Sequence, residues 1–191
     1  MRKLFVHEFL SLDGVMQAPG GKVEDTDGGF SQGGWTIPYW HDDIGNKFFE
    51  GMQGTDTMLL GRKTWEIHSV FEKMSDPFAQ ALNEVKKVVV STTLKDASAW
   101  RNTSIISSNV VEEVKKLKAS EGKDIMIDGS SVLLKTLIEN NLVDSFHFHI
   151  YPLILGSGKR IFPENTTVKL KLVETKQLPT GVVYVSYDLQ K

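Results

Sequence analysis

Leu59-Leu60-Gly61-Arg62-Lys63-Thr64-Trp65-Glu66 joins a short apolar run to a glycine, two cations and a hydroxyl. An apolar run of this length between turn signals reads as a buried strand. If a helical turn opens after Gly61, the amides of Arg62, Lys63 and Thr64 have no partners inside that helix and point outward. Glycine leaves room for close backbone approach. With the Arg62 and Thr64 side chains, those amides make a seat for a phosphate. The plain alternative is that Gly61 only turns the chain and that Arg62 and Lys63 are solvated.

A second stretch repeats the pattern. Asp124-Ile-Met-Ile-Asp128-Gly129-Ser130-Ser131 is again strand, glycine and hydroxyl pair, followed by the helical spacing of Val132, Leu133, Leu137 and Ile138. Ser130 suits the N-cap of that helix, and the amides at 130 to 132 then face the strand ends. A third run, Lys87-Val-Val-Val-Ser91-Thr92-Thr93, ends in hydroxyls that either form a turn or hold a further phosphate. Ligands of open parallel sheets sit beyond the carboxyl ends of the strands. Three such ends suit a dinucleotide carrying an extra phosphate. Neither Gly-x-Gly-x-x-Gly nor Gly-x-x-x-x-Gly-Lys-Ser/Thr occurs, which sets aside the standard dinucleotide fold and the P-loop.

Outward from these stretches, β-branched and aromatic runs predict strands at 3–10, 57–60, 87–91, 103–107, 125–128, 145–152, 168–176 and 182–189. Helical spacing lies between the early ones, at Ile44/Phe48/Phe49/Met52, at 78–85, at Val110/Val111/Val114/Leu117 and at 132–138. Alternating strand and helix implies crossovers and a largely parallel sheet. The last strands leave little chain for helices and read as an antiparallel hairpin. In 145–151, Phe146, Phe148 and Ile150 alternate with His147, His149 and Tyr151, so the first set is expected in the core and the second toward water, substrate or a partner. The expected class is a three-layer α/β fold, with a central mixed, mostly parallel sheet flanked by helices, as one domain over 1–191.

Between Gly14 and Gly34 the rhythm breaks: seven glycines, Pro19 and the acidic Glu24-Asp25-Thr26-Asp27 show no periodicity. Its place between the first strand and Trp35-Thr-Ile-Pro-Tyr39-Trp40 reads as a lid. Trp35, Tyr39 and Trp40 either stack on a substrate ring beneath it or pack in the core.

Composition bounds the chemistry. The 191 residues are 40% hydrophobic and 24% charged with a net charge of -2, and contain no cysteine. That profile suits a globular chain without the basic footprint of a nucleic-acid binder. It excludes disulfides, thiolate metal sites and cysteine nucleophiles. His147 and His149 lack a third ligand at suitable spacing, so no metal is expected. No membrane span or signal peptide is read, and a cytoplasmic location is the expectation.

These residues resemble a known family. Leu59-Leu-Gly-Arg-Lys-Thr-Trp-Glu, with Ser11-Leu-Asp13-Gly before it, Val88-Val-Val-Ser-Thr after it, and Leu142-Val-Asp followed by Tyr151-Pro-Leu-Ile-Leu-Gly-Ser-Gly-Lys-Arg-Ile-Phe later, is similar to the dihydrofolate-reductase-like superfamily. It is most like the C-terminal reductase domain of the bifunctional riboflavin-biosynthesis deaminase/reductase, here without the deaminase half. The resemblance covers nearly the whole chain. It implies NADPH as cofactor, a small heterocyclic substrate and a homodimer. It places Gly61, Arg62, Lys63 and Thr64 at the cofactor phosphates, Ser91 and Thr92 near the adenosine 2'-phosphate, and Gly129, Ser130 and Ser131 at the pyrophosphate. A single glycine with two serines stands where the family has a glycine run. Counting back from Gly61 puts Gly45 where folate reductases carry their acidic proton relay, with Asp42 and Asp43 offset, which weighs against folate reduction. Asp13 and Asp128 match the riboflavin-type carboxylates instead. They would bind ribityl hydroxyls or raise one another's proton affinity for proton donation. Their plain reading is an Asp-Gly turn and a loop brace. The implied activity is hydride transfer like that of 5-amino-6-(5-phosphoribosylamino)uracil reductase. The rivals are a dihydrofolate or pteridine reductase and a dimeric nucleotide-binding protein without catalysis.

Overall fold

The computed structural model describes residues 1–162 and 166–190. In chain order the elements are β1 Leu4–Ser11, α1 Asp42–Gln53, β2 Thr55–Gly61, α2 Arg62–His68, α3 Pro77–Glu84, β3 Lys86–Val90, β4 Thr103–Ile106, α4 Val110–Ala119, β5 Asp124–Asp128, α5 Ser131–Glu139, β6 Ser145–Tyr151, β7 Leu170–Gln177 and β8 Val183–Leu189, with short 3-10 turns at Asp27–Gly29, Ile37–Tyr39 and Ser69–Lys73. The strands are hydrogen-bonded in the order β4-β3-β2-β5-β1-β6-β8-β7, a mixed and mostly parallel sheet of the dihydrofolate-reductase-like class with an antiparallel C-terminal hairpin. Among the described residues no helix is long and apolar enough to cross a membrane.

Contacts divide the chain into two compact units, Met1–Phe5 with Met52–Val143, and Val6–Gly51 with Asp144–Lys191. In the first unit, β2 pairs in parallel with β3 and with β5, and β3 with β4. Met58, Leu59, Leu60, Ile125, Met126 and Ile127 are all fully buried. Unbroken burial on both faces is what parallel strands covered by crossover helices require. Leu133, Leu134 and Leu137 of α5, Val114 of α4, and Ala79 and Leu82 of α3 bury the apolar stripes that their helical spacing predicts.

In the second unit, β8 pairs antiparallel with β6 and β7, and a bulge interrupts the β7 register between Leu172 and Glu174. The β7–β8 turn closes on Gly181, whose φ of 83° a side chain rarely adopts. One expectation is corrected here. Most of the face of β6 expected toward water is covered: His149 and Tyr151 are fully buried, and His147 is half-buried. Trp35 stands edge-on to Tyr151 at 5.3 Å, and Tyr184 does the same to His149 at 5.2 Å. The glycine-rich segment supplies the cover, since Val15, Ala18, Phe30 and Trp35 join Ile44, Tyr151, Leu178 and Val182 in one core cluster. Alternation in β6 therefore marks two covered faces. Trp35 is core, Tyr39 packs against that cluster, and Trp40 is 53% exposed.

Candidate active site

Parallel pairing aligns the carboxyl ends of three strands in the first unit. Gly61 of β2 stands beside Val90 of β3, and Leu59 beside Ile127 of β5. Ser91 and Asp128 thus fall on either side of the β2 exit. All nine residues expected at the cofactor, Gly61, Arg62, Lys63, Thr64, Ser91, Thr92, Gly129, Ser130 and Ser131, lie at this edge.

The two strand–helix turns are locked into each other. A Cβ at Gly61 would collide with the Ser130 side chain, 2.6 Å from its Oγ, and a Cβ at Gly129 would lie 2.5 Å from Thr64 Oγ1. Gly129 also has a φ of 63°. Each glycine is therefore required by the side chain of the opposite turn, which is a more specific reason than the general backbone access read from the sequence. The interlock sets the starts of α2 and α5 side by side. Gly61 and Ser130 occupy the two N-cap positions, and neither supplies a side-chain cap. Ser130 thus departs from the capping role its position suggests, because its side chain is packed on Gly61.

The side chains around this edge are differently engaged. Arg62 donates to both carboxylate oxygens of Glu66, at 2.7 and 3.0 Å, one turn along the same helix. The guanidinium remains 39% exposed, so it is steadied at the edge without being buried. Ser91 Oγ accepts from the amides of Thr93 and Leu94 at 3.2 and 3.0 Å, which is the turn-forming alternative; Thr92 is exposed beside it.

Asp128 closes β5 with its carboxylate 3.7 Å from His68 Nδ1. Burial pushes the Asp128 carboxyl above its ordinary range, and the His68 charge opposes that shift without cancelling it. A carboxyl of this kind keeps its proton to higher pH than an exposed one, as a donor must. His68 escaped the sequence reading. It stands 60 positions from Asp128, and only the α2 crossover brings the two together.

Asp13 belongs to the second unit and has its own network. Its carboxylate accepts from Ser11 Oγ at 2.7 Å and from the amides of Leu155 and Gly156 at 3.1 and 3.0 Å. Arg160 donates to the Asp13 carbonyl, and its guanidinium lies 3.3 Å from Asp13 Oδ2. Burial acts to raise the carboxyl pKa, but the hydrogen bonds from Ser11, Leu155 and Gly156 outweigh it and bring it down to about 2. Asp13 is a carboxylate at neutral pH. That lowered value suits the hydroxyl-binding alternative read for Asp13 rather than a raised proton affinity. The acidic patch of the glycine-rich segment is similarly committed: Lys159 bridges Asp25 at 2.6 Å and Asp27 at 2.8 Å, while Glu24 accepts from the amides of Gly20 and Gly21.

The family whose sequence pattern matches this arrangement is the RibD C-terminal domain, over residues 2–184. The chain belongs to the RibD C-terminal domain family. Within that reductase-like family it is similar to the uncharacterized protein YyaP of Bacillus subtilis, at 31% identity over 97% of this chain and 94% of that protein. A putative riboflavin biosynthesis protein from Shewanella sp. PV-4 has the same fold, with a TM-score of 0.71, 17% identity and 99% of both chains covered. A dihydrofolate reductase from Enterococcus faecalis, solved with NADP(H) and RAB-propyl, superposes with a TM-score of 0.64 at 19% identity, covering 99% of this chain and 97% of that one. At those identities the two structures establish the fold that the RibD C-terminal domain shares with folate reductases.

Proposed function

We propose that this RibD C-terminal domain protein is an NADPH-dependent reductase that delivers hydride to a C=N or carbonyl carbon of a small heterocycle, in the manner of 5-amino-6-(5-phosphoribosylamino)uracil reductase. The observation that carries the reading is the adjacency of three strand ends, where the Gly61 and Gly129 turns interlock beside an acid of raised proton affinity. The residues fit a nucleotide. Two helix starts without side-chain caps offer amides to phosphate oxygens, and Arg62 adds a fork of donors suited to the same oxygens. Thr64, Ser130 and Ser131 supply hydroxyls at the same turns, and Thr92 lies exposed where a 2'-phosphate would be read. A reduced nicotinamide, when bound, would supply the hydride. Asp128 holds the proton that completes the reduction. Asp13, fixed as a carboxylate, orders the Leu155-Gly156 backbone of the second unit. The NADP(H) of the Enterococcus enzyme lends support by analogy of fold. Homodimerisation and a cytoplasmic location form part of the same proposal.

Titration of the protein with NADPH by fluorescence tests the reading. Binding is expected, and Arg62→Ala should weaken it about tenfold, the equivalent of about 1.4 kcal/mol. No binding, or an affinity untouched by Arg62→Ala, defeats the cofactor assignment. NADPH oxidation should then be driven by an aminopyrimidine substrate in preference to dihydrofolate. Preference for dihydrofolate would make the protein a pteridine reductase instead.

A further inference from the structure

His68 is the last residue of α2 and Asp128 the last of β5, and their side chains are 22% and 21% exposed. His68 Nδ1 is shut off from solvent and has no hydrogen-bond partner among the described residues, although it lies 3.7 Å from Asp128 Oδ2. Leaving a buried imidazole nitrogen unsatisfied is costly, so its orientation calls for a reason. The Phe71 and Trp100 rings stand near the imidazole, with centroids 5.8 and 6.5 Å away. Arg62 is paired with Glu66, and Glu72 with Arg101. Among the described residues, the titratable side chain that faces Asp128 is His68.

We propose that His68 and Asp128 form a proton-sharing dyad in which His68, as a positioning residue, makes the buried carboxyl release its proton and reloads it from solvent. The inference rests on the reductase reading and deepens it by assigning the source of the proton. Two forms of the pair, neutral imidazole with carboxylic acid and imidazolium with carboxylate, hold the same number of protons, so the pair titrates as one unit. Burial alone would make Asp128 keep its proton; the facing imidazole offsets this, so that the acid can both hold and give. In the balanced step, a bound reduced nicotinamide would supply the hydride that the substrate carbon gains and would itself be left oxidised. The substrate nitrogen or oxygen gains a proton as the Asp128 O–H bond breaks, leaving carboxylate and neutral imidazole. The partly exposed imidazole then takes a proton from water on one nitrogen and passes one to Asp128 from the other.

His68→Asn keeps a short polar side chain that cannot relay a proton. In the ligand-free protein, the Asp128 carboxyl carbon followed by NMR against pH should titrate about one unit or more higher in His68→Asn than in wild type, because an opposing charge has been removed. An unchanged midpoint overturns the dyad, whatever the activity. In turnover, kcat should fall about tenfold or more, as expected for loss of general acid–base assistance. The descending limb of its pH profile should move to higher pH while the NADPH Kd stays constant. A lower kcat with an unmoved limb would mean a merely structural role for His68 and would also overturn the relay. If wild-type protein oxidises NADPH with no heterocyclic acceptor, the reductase reading fails and takes the relay with it, whereas the NMR midpoints still report on the dyad alone.

Discussion

The two glycines at the strand exits show how a single missing Cβ can decide a site. Gly61→Ala inserts a methyl where Ser130 already sits, and one of the two turns must move. Overpacking of this kind costs about 1–3 kcal/mol. Ser130→Gly removes the obstructing atoms, so the double variant should recover much of the loss and give a favourable coupling in a double-mutant cycle followed by urea unfolding. Strict additivity would show that Gly61 is needed for another reason. Asp13 makes a second claim at this scale. Its carboxylate accepts two loop amides and a hydroxyl, and Asp13→Asn should destabilise the protein by about 2 kcal/mol at neutral pH, the range for hydrogen bonds to a charged group. The sign with pH is fixed. The folded pKa, at about 2, lies below the ordinary aspartate value of 3.8, so the contribution is complete above that value and is lost as pH falls through the folded one. The gap between wild type and variant, measured by denaturant melts across pH, should therefore be flat near neutrality and close in strong acid.

Among the elements, what was legible depended on how local the cause was. Each strand run read from β-branched composition became a strand, with ends shifted by a residue or two, because the central strands are apolar enough to need cover on both faces. The antiparallel hairpin followed from the lack of chain for crossovers. The three hydroxyl-bearing exits were legible for the same local reason, and parallel register alone set them in one row. The His68–Asp128 approach was not legible, since nothing in either neighbourhood names the other. Nor was the second buried face of β6, because the cover comes from a segment with no periodicity of its own. That segment is tied down by the Lys159 bridges to Asp25 and Asp27 and by Gln17, whose side chain donates to the Asp25 and Asp27 carbonyls and accepts from the Lys159 amide. Lys159→Ala should loosen 20–34 in particular, with faster amide exchange and earlier proteolytic cleavage there while the β8 amides keep their protection. Uniform acceleration across the chain would mean that the lysine supports global stability instead.

For the whole molecule, the pair of buried histidines sets the response to acid. Burial holds His7 well below its ordinary pKa, reinforced by the charges of His149 and His147. Burial likewise lowers His149 to about 3, with Lys47 and His147 adding to the effect. Among the described residues neither ring finds a hydrogen-bond partner on either nitrogen. Both are neutral when folded and take up protons when unfolded, so stability is complete above the ordinary histidine pKa and declines as pH falls below it. Each histidine contributes a slope of up to about 1.4 kcal/mol per pH unit in that window. Asp128 acts in the opposite sense. A carboxyl whose pKa is raised on folding binds its proton more tightly in the native state, and so favours the fold as pH drops. One half-buried carboxyl opposes two fully buried imidazoles, and the histidines should prevail. Stability from chemical denaturation should fall between about pH 7 and pH 4. His149→Leu should flatten that fall by removing one of the two uptake sites, and Asp128→Asn should steepen it by removing the opposing carboxyl. A decline insensitive to both substitutions would place the acid sensitivity of the fold elsewhere than in this buried pair.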